Sequence, residues 1–180
     1  MSRIVIVSGP PGAGKSTVAR RLAQRIAAPL AMHLRADDIY TYVQKGFTPP
    51  WMPEAHQQNL VLAAATAVQA ATCAAGGYQV FVDGVVGPWF LDPWRREAAA
   101  RDLDLDYVVL MPDEDEAAAR AAGRQGLGDM TDAEVARRVW RTFRNQPLVE
   151  RHRIDSTGLD VGQTLDAALV GLADGRFRLG

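Results

Sequence analysis

The 180-residue chain has a single cysteine, Cys73, so it can form no internal disulfide and build no metal cluster on thiolates. Cys73 stands in an alanine-rich run that reads as helix, where a lone thiol packs as a small apolar side chain. No apolar run reaches the roughly 18 residues of a membrane span, and the N-terminus enters an apolar strand without a signal-peptide layout. Neither sign of charge prevails: the formal net charge is -1 and the pI about 6.3. That balance argues against a general affinity for nucleic acid or anionic membranes. Repeats, low-complexity tracts and an interdomain linker are also lacking. The expectation is one cytoplasmic domain over residues 1–180, long enough to bury a core at 48% hydrophobic content. Lysine is scarce as well. Only Lys15 and Lys45 are present, the other cations being arginines, so a lysine inside a glycine-rich loop stands out.

What is present is a regular alternation. The apolar run Ile4–Val7 predicts a buried strand over Arg3–Ser8, and Val18, Leu22 and Ile26 then recur at helical spacing until Pro29. Further strands are predicted at Leu30–Leu34, Gln79–Val82, Tyr107–Met111 and His152–Asp155. Helices are predicted at about Glu54–Ala75, Arg95–Arg101, Glu114–Arg124 and Asp132–Asn145, with a last one capped by Asp160 and running to Ala173. Gly76-Gly77 ends the first of these, and Thr131 with Glu134 forms a capping-box pattern at the fourth. Tyr40–Pro53 is irregular. Strands alternating with helices predict an α/β fold, a parallel sheet covered on both faces.

The chemistry is concentrated in Gly9-Pro10-Pro11-Gly12-Ala13-Gly14-Lys15-Ser16, followed by Thr17, which fits G-x-x-x-x-G-K-[ST]. Glycines let the backbone curl so that successive N–H groups point at phosphate oxygens, and the following helix adds its unpaired N–H groups and positive dipole end. Lys15 is placed to reach the β- and γ-phosphates of ATP, and the Ser16 hydroxyl to bind Mg²⁺. An apolar strand before the loop and an amphipathic helix after it supply the context the motif requires. Asp83, at the end of the third strand, is a second candidate magnesium group; its plain alternative is a turn aspartate in Asp83-Gly84.

With these residues, with Asp37 after the second strand and with an arginine-bearing helical segment before the fifth, the chain resembles the small P-loop (AAA_33-like) kinases and phosphotransferases. That group includes chloramphenicol phosphotransferase, shikimate kinase, gluconate kinase and adenylyl-sulfate kinase. The resemblance implies a P-loop three-layer sandwich with a five-stranded sheet in order 2-3-1-4-5 and a helical lid. The lid falls at about 113–131 and the acceptor-binding segment at about 36–60. It also implies that Asp37 meets the acceptor hydroxyl, as a general base or by orienting it. Asp38 either caps the following short helix or lies behind Asp37. Arg120 and Arg124, four apart and beside the hinge candidates Gly126 and Gly128, are expected to contact the transferring phosphate. Arg137, Arg141 and Arg144 read as a solvated basic face, and Asp113–Glu116 as a favourable first helical turn. Thr157 and Gly158, after the last strand, match by position the loop that passes the adenine.

The acceptor segment itself is short of cations. From Ala36 to Trp94 the only basic side chains are Lys45 and His56, whereas a second phosphate calls for an arginine clamp. Arg35, Arg95 and Arg96 are the cations near enough in sequence to supply one. Aromatic side chains are plentiful instead, among them Tyr40, Trp51, Trp89, Phe90 and Trp94, with His56 and Asn59 as hydrogen-bonding groups. The reading is an ATP- and Mg²⁺-dependent kinase of a hydroxyl on a small molecule, with Asp37, Asp38, Tyr40, Trp51, His56, Asn59 and Trp89 as acceptor residues. The alternatives are a nucleoside or nucleotide kinase, a zeta-toxin-like kinase of a nucleotide sugar, and a regulatory nucleotide-binding module with slow hydrolysis. The acceptor's identity, ATP against GTP, and oligomeric state are not legible in the chain.

Overall fold

The computed structural model describes residues 2–123 and 132–180. Five parallel strands form one sheet: β1 (Arg3–Ser8), β2 (Ala31–Arg35), β3 (Gln79–Asp83), β4 (Asp104–Leu110) and β5 (Arg153–Ile154). Their order is β2-β3-β1-β4-β5, the P-loop NTPase arrangement. β1 is central and almost wholly buried, which is why it reads as an unbroken apolar run. Its side chains nonetheless alternate. Ile4 and Ile6 enter one core with Val80, Val82, Tyr107 and Val109, while Val5 and Val7 enter the other with Phe81, Val108 and Leu110.

Helices cover both faces. α1 (Lys15–Arg25) and α7 (Val161–Ala173) lie over Val5 and Val7. α2 (His56–Ala75) and α3 (Asp92–Ala99) cover the opposite face. The buried stripe of α2 is Asn59, Thr66, Ala67, Ala70, Ala71 and Ala74, small side chains that let the helix sit close to the sheet. α4 (Glu114–Ala122) and α5 (Ala133–Arg144) pack on each other beyond β4, and α6 (Pro147–His152) leads into β5. The chain leaves β1 toward β3 and β2 on one side and toward β4 and β5 on the other. A crevice therefore opens at the carboxyl end of β1, where α/β sheets bind ligands.

Several boundaries differ from the sequence expectation, each for a local reason. β4 begins at Asp104, before the apolar run, because Asp106 is wholly buried yet paired with Arg3 at 3.5 Å and with Arg178 Nε at 3.1 Å. Arg178 also pairs with Asp104, and the chain end forms an antiparallel bridge to Asp106. α3 starts at Asp92, with Pro93 in its first turn. α5 is capped by Asp132, whose Oδ1 accepts from the amides of Glu134 and Val135; Thr131 lies outside the described residues. A tight helical turn at Ala36–Tyr42 takes in Asp37 and Asp38, which the sequence placed just before a helix. α7 is as expected, with Asp160 and Gln163 in a reciprocal capping box.

Burial pushes the Asp106 carboxyl above its ordinary range, with Arg3 and Arg178 opposing. Removing Arg178 leaves that carboxylate short of a partner inside the core. Arg178→Ala is expected to cost about 3 kcal/mol and to lower the melting temperature by roughly 10 °C. Because a raised carboxyl gives a penalty only while ionised, the loss should be smaller at pH 5 than at pH 8. Equal melting of variant and wild type at both pH values would contradict this account.

Candidate functional site

The glycine loop between β1 and α1 is shaped by three glycines of positive φ. Gly9 is at 139°, Gly12 at 84° and Gly14 at 87°. Two of them are pressed against the protein. A Cβ on Gly9 would stand 2.2 Å from the Leu110 carbonyl oxygen, and one on Gly12 would stand 2.0 Å from that of Ala117 in α4. At Gly14 a Cβ would meet nothing within 4 Å, so this side of the loop is an open cradle. α1 begins there with no side-chain cap and no acidic residue in its first turn, unlike α4, α5 and α7, which aspartates cap. A helix start without a side-chain cap is one that suits an anion. Lys15 is buried beside them, its Nζ donating to the Pro10 carbonyl at 2.9 Å.

Asp83 joins three elements. The Ser16 hydroxyl at the start of α1 donates to its Oδ2, and His33 Nε2 of β2 donates to its Oδ1 at 2.5 Å. Burial works against the charge on Asp83, but the hydrogen bonds from His33 and Ser16 and the charge of Lys15 hold its carboxyl below the ordinary range. Ser16 and Asp83, the two groups expected to organise magnesium, are therefore brought together. No group of three or more His, Cys, Asp or Glu side chains placed to hold a metal ion exists among the described residues. A pair of oxygen groups with room for water and phosphate is the protein share that Mg²⁺ takes. His33 was not singled out from the sequence, because an isolated histidine in an apolar strand carries no pattern; only the register Arg35↔Asp83 places it.

Asp37 stands next to this group. Its carboxylate accepts from the Val85 amide, and Gly84 makes the approach possible: a Cβ there would stand 3.3 Å from Asp37 Oδ1 and 2.8 Å from Ala36 Cβ. Desolvation pushes its carboxyl up, with Lys15 opposing and Asp83 adding, although the residue as a whole is exposed to solvent. Asp37 lines a cavity of about 30 Å³ together with Tyr40, Asn59, Phe90, Trp94 and several aliphatic side chains. The Tyr40 hydroxyl donates to Asn59 Oδ1 at 3.0 Å, and Asn59 Nδ2 to the Pro50 carbonyl at 2.8 Å. Burial, reinforced by the charge of Asp37, lifts Tyr40 to about 12. Ser8 exchanges two hydrogen bonds with Val86, and the Tyr107 hydroxyl donates to the same carbonyl, so the cavity wall after β3 is pinned to the sheet.

Other expected acceptor residues lie elsewhere. Asp38 turns away to Arg35 at 3.4 Å. Trp51 is exposed in the loop before α2, and Trp89 packs edge-on against Phe90 and Phe143. His56 is exposed and stacks on Phe90, which does line the cavity. These rings surround the cavity wall without forming it. Arg35 is held by Asp38, and Arg95 pairs with Asp92 at 3.7 Å.

Beyond β4 the acidic run does more than start a helix. Asp113 caps α4 through the Asp115 amide; Arg137 and Arg141 of α5 pair with Asp115 and, at 2.7 Å, with Glu114. The second group of arginines is therefore not a free solvated face: it ties α5 to α4, while Arg144 pairs with Glu150. Arg120 pairs with Glu116 one turn back. The other oxygen of Glu116 accepts from the Gly158 amide at 3.1 Å, and the Thr157 hydroxyl accepts from the Asp113 amide. Arg120 is thereby set against the loop of Thr157 and Gly158. Arg124 lies outside the described residues, with Gly126 and Gly128.

The sequence profile of a family described as AAA domain, AAA_33, matches residues 4–147. An adenylate kinase of Mycobacterium sp. (strain MCS) is 26% identical over 175 residues, covering 90% of this chain and 92% of that protein. Among solved structures, a sugar kinase from Janibacter sp. HTCC2649 superposes with a TM-score of 0.71 at 18% identity, covering 96% of this chain and 95% of the other. A gluconokinase from Sinorhizobium meliloti 1021 does so at 0.68 and 19%, covering 96% and 93%. These likenesses carry the kinase-like P-loop fold.

The two faces of the loop make separable demands. Gly12→Ala forces a Cβ into the Ala117 carbonyl and is expected to lower the melting temperature sharply. Gly14→Ala meets only the left-handed strain of about 1–2 kcal/mol. Equal melting of the two variants would show that the loop is not seated on α4.

Proposed function

The chain belongs to the AAA_33 family of AAA domains, and from that premise we propose that it is an ATP- and Mg²⁺-dependent kinase of a hydroxyl on a small molecule. One observation carries the reading. Asp37 is shared between two compartments: it lines the cavity, and it lies in the fields of Lys15 and Asp83 at the glycine loop. A nucleotide-hydrolysing switch has no use for a second compartment opening onto its phosphate site.

In this reading the amides of the loop and of the first turn of α1 hold the phosphates at the open face of Gly14, and Lys15 leaves the Pro10 carbonyl to meet them. Magnesium held by Ser16 and Asp83 would neutralise charge on the phosphate oxygens. Asp37 accepts a hydrogen bond from the acceptor hydroxyl and turns its oxygen toward the terminal phosphorus. The bond from that oxygen to phosphorus forms as the bond to the bridging oxygen breaks. ADP leaves with the electron pair and the hydroxyl proton passes to Asp37. Arg120, beside Thr157 and Gly158, faces the nucleotide side of the cleft. Arg124 is proposed for the transferring phosphate, and residues 113–131 for the lid.

The relative from Mycobacterium favours a second reading, a nucleotide kinase. Against it, among the described residues no Lys, Arg or His lines the cavity; Arg35 and Arg95 pair with Asp38 and Asp92, and Arg96 is exposed on α3 outside the lining.

The test is ADP release from ATP and Mg²⁺ across a panel of hydroxyl compounds, sugars, nucleosides and nucleoside monophosphates. One acceptor is expected to raise turnover strongly, and Asp37→Asn to cut the acceptor-dependent rate about a hundredfold or more. Lys15→Met should remove both acceptor-dependent and basal turnover, at a cost of about a hundredfold or more. Slow turnover indifferent to every compound and to Asp37→Asn would identify a nucleotide-binding regulatory module instead.

A further inference from the structure

Resting on the reading of the loop as an ATP and Mg²⁺ site, we propose that His33 is a positioning residue for the cation. By holding Asp83 Oδ1 it leaves the carboxylate only Oδ2 to offer, which fits the site to Mg²⁺ rather than Ca²⁺.

The strands dictate the pair. β2 and β3 run parallel, with Arg35 level with Asp83 and His33 level with Phe81. Side chains alternate between the faces of a sheet, so His33 and Asp83 belong to the face of Phe81. That is the face where Phe81 packs with Val5, Val7 and the buried side of α1. His33 thus stands diagonally behind Asp83, and its ring reaches forward to bring Nε2 within 2.5 Å of Oδ1. Ser16, at the start of α1, bonds to the other oxygen, Oδ2. An ionised carboxylate only accepts hydrogen bonds, so the proton shared with His33 lies on Nε2. Water is a poor substitute for either donor, because the Asp83 side chain is 5% exposed.

The two cations make different demands on such a carboxylate. Ca²⁺ tolerates an irregular shell and readily takes both oxygens of one carboxylate. Mg²⁺ requires a near-octahedral shell, keeps several waters and needs little from the protein. A carboxylate free to turn serves the first; one with an oxygen tied down serves the second. Histidine suits the task by its chemistry. It supplies an N–H on a rigid ring, whereas a lysine would set a full positive charge against the cation. A phenylalanine would fill the space and leave Oδ1 without its donor.

The experiment is ADP binding to the intact protein, by calorimetry, in EDTA, in Mg²⁺ and in Ca²⁺. Wild type is compared with His33→Phe and with His33→Gln, which keeps an N–H at a reach close to that of Nε2. A thermal melt of each fixes a temperature at which all are folded. Wild type is expected to bind ADP more tightly in Mg²⁺ than in Ca²⁺. His33→Phe should narrow that preference about tenfold or more, and His33→Gln should keep it within about threefold. Affinity in EDTA should be alike in all, since the loop and Lys15 are untouched. If His33→Phe keeps the wild-type preference, or His33→Gln loses it as well, His33 is packing alone and the proposal falls while nucleotide binding stands. Equal ADP affinity of wild type in the two cations has the same consequence. Failure of wild type to bind ADP in all three solutions overturns the proposal and the ATP reading together.

Discussion

A single buried carboxylate organises the site. Asp83 ends β3 in a position where water cannot satisfy it, so its charge must be met by the protein. The groups that meet it come from different elements: Ser16 from α1, His33 from β2, and the field of Lys15 from the loop. Each of these is where it is because β3 lies between β1 and β2. The register Val7↔Asp83 brings the start of the loop level with the carboxylate, and Arg35↔Asp83 does the same for β2. The strand order is therefore a condition of the chemistry. With β3 elsewhere, Ser16 would not reach Asp83, and Asp37 would not stand beside them.

The same economy governs the far side of the loop. Gly12 rests against the carbonyl of Ala117, so the position of α4 and the shape of the loop are one variable. α4 is in turn held at its acidic start. Asp113 and Glu116 reach the loop of Thr157 and Gly158, while Glu114 and Asp115 reach arginines of α5. The side chains of Glu114, Asp115 and Glu116 and the backbone amide of Asp113 thus link two helices and the exit of β5. Most of these pairs are exposed and individually weak, so their effect is orientation more than stability.

The fold was largely legible because its signals are local. An apolar run before G-x-x-x-x-G-K-S, helical periodicity after it, and Asp160 with Gln163 each specify their own neighbourhood without help from the rest of the chain. The P-loop side of the site was legible for the same reason. What escaped depends on pairing between distant residues. β4 extends to Asp104 only because Arg3 and Arg178, at the two ends of the chain, neutralise Asp106. The Asp38 side chain turns to Arg35, and the Arg137 and Arg141 face is occupied by Asp115 and Glu114. Apart from Asp38 and Arg35, three residues apart, these partners are distant in sequence, so composition suggested free charges where the structure has engaged ones. Of the aromatic residues expected at the acceptor, Tyr40 lines the cavity, joined by Phe90 and Trp94, whereas Trp51 and Trp89 do not.

That last distinction explains why the two halves of the cleft differ so much in how far they can be read. The glycine-loop side is built from backbone geometry, which leaves glycines as its trace. The Asp37 side is built from side chains whose neighbours decide whether they are available. Tyr40 and Asn59 are hydrogen-bonding residues by type, yet in place they bond to each other and to Pro50 and form a wall. Trp94 is apolar by reputation, yet its buried Nε1 has no hydrogen-bond partner among the described residues. Which polar groups remain on this side after the protein has bonded to itself is something that no count of residue types can supply.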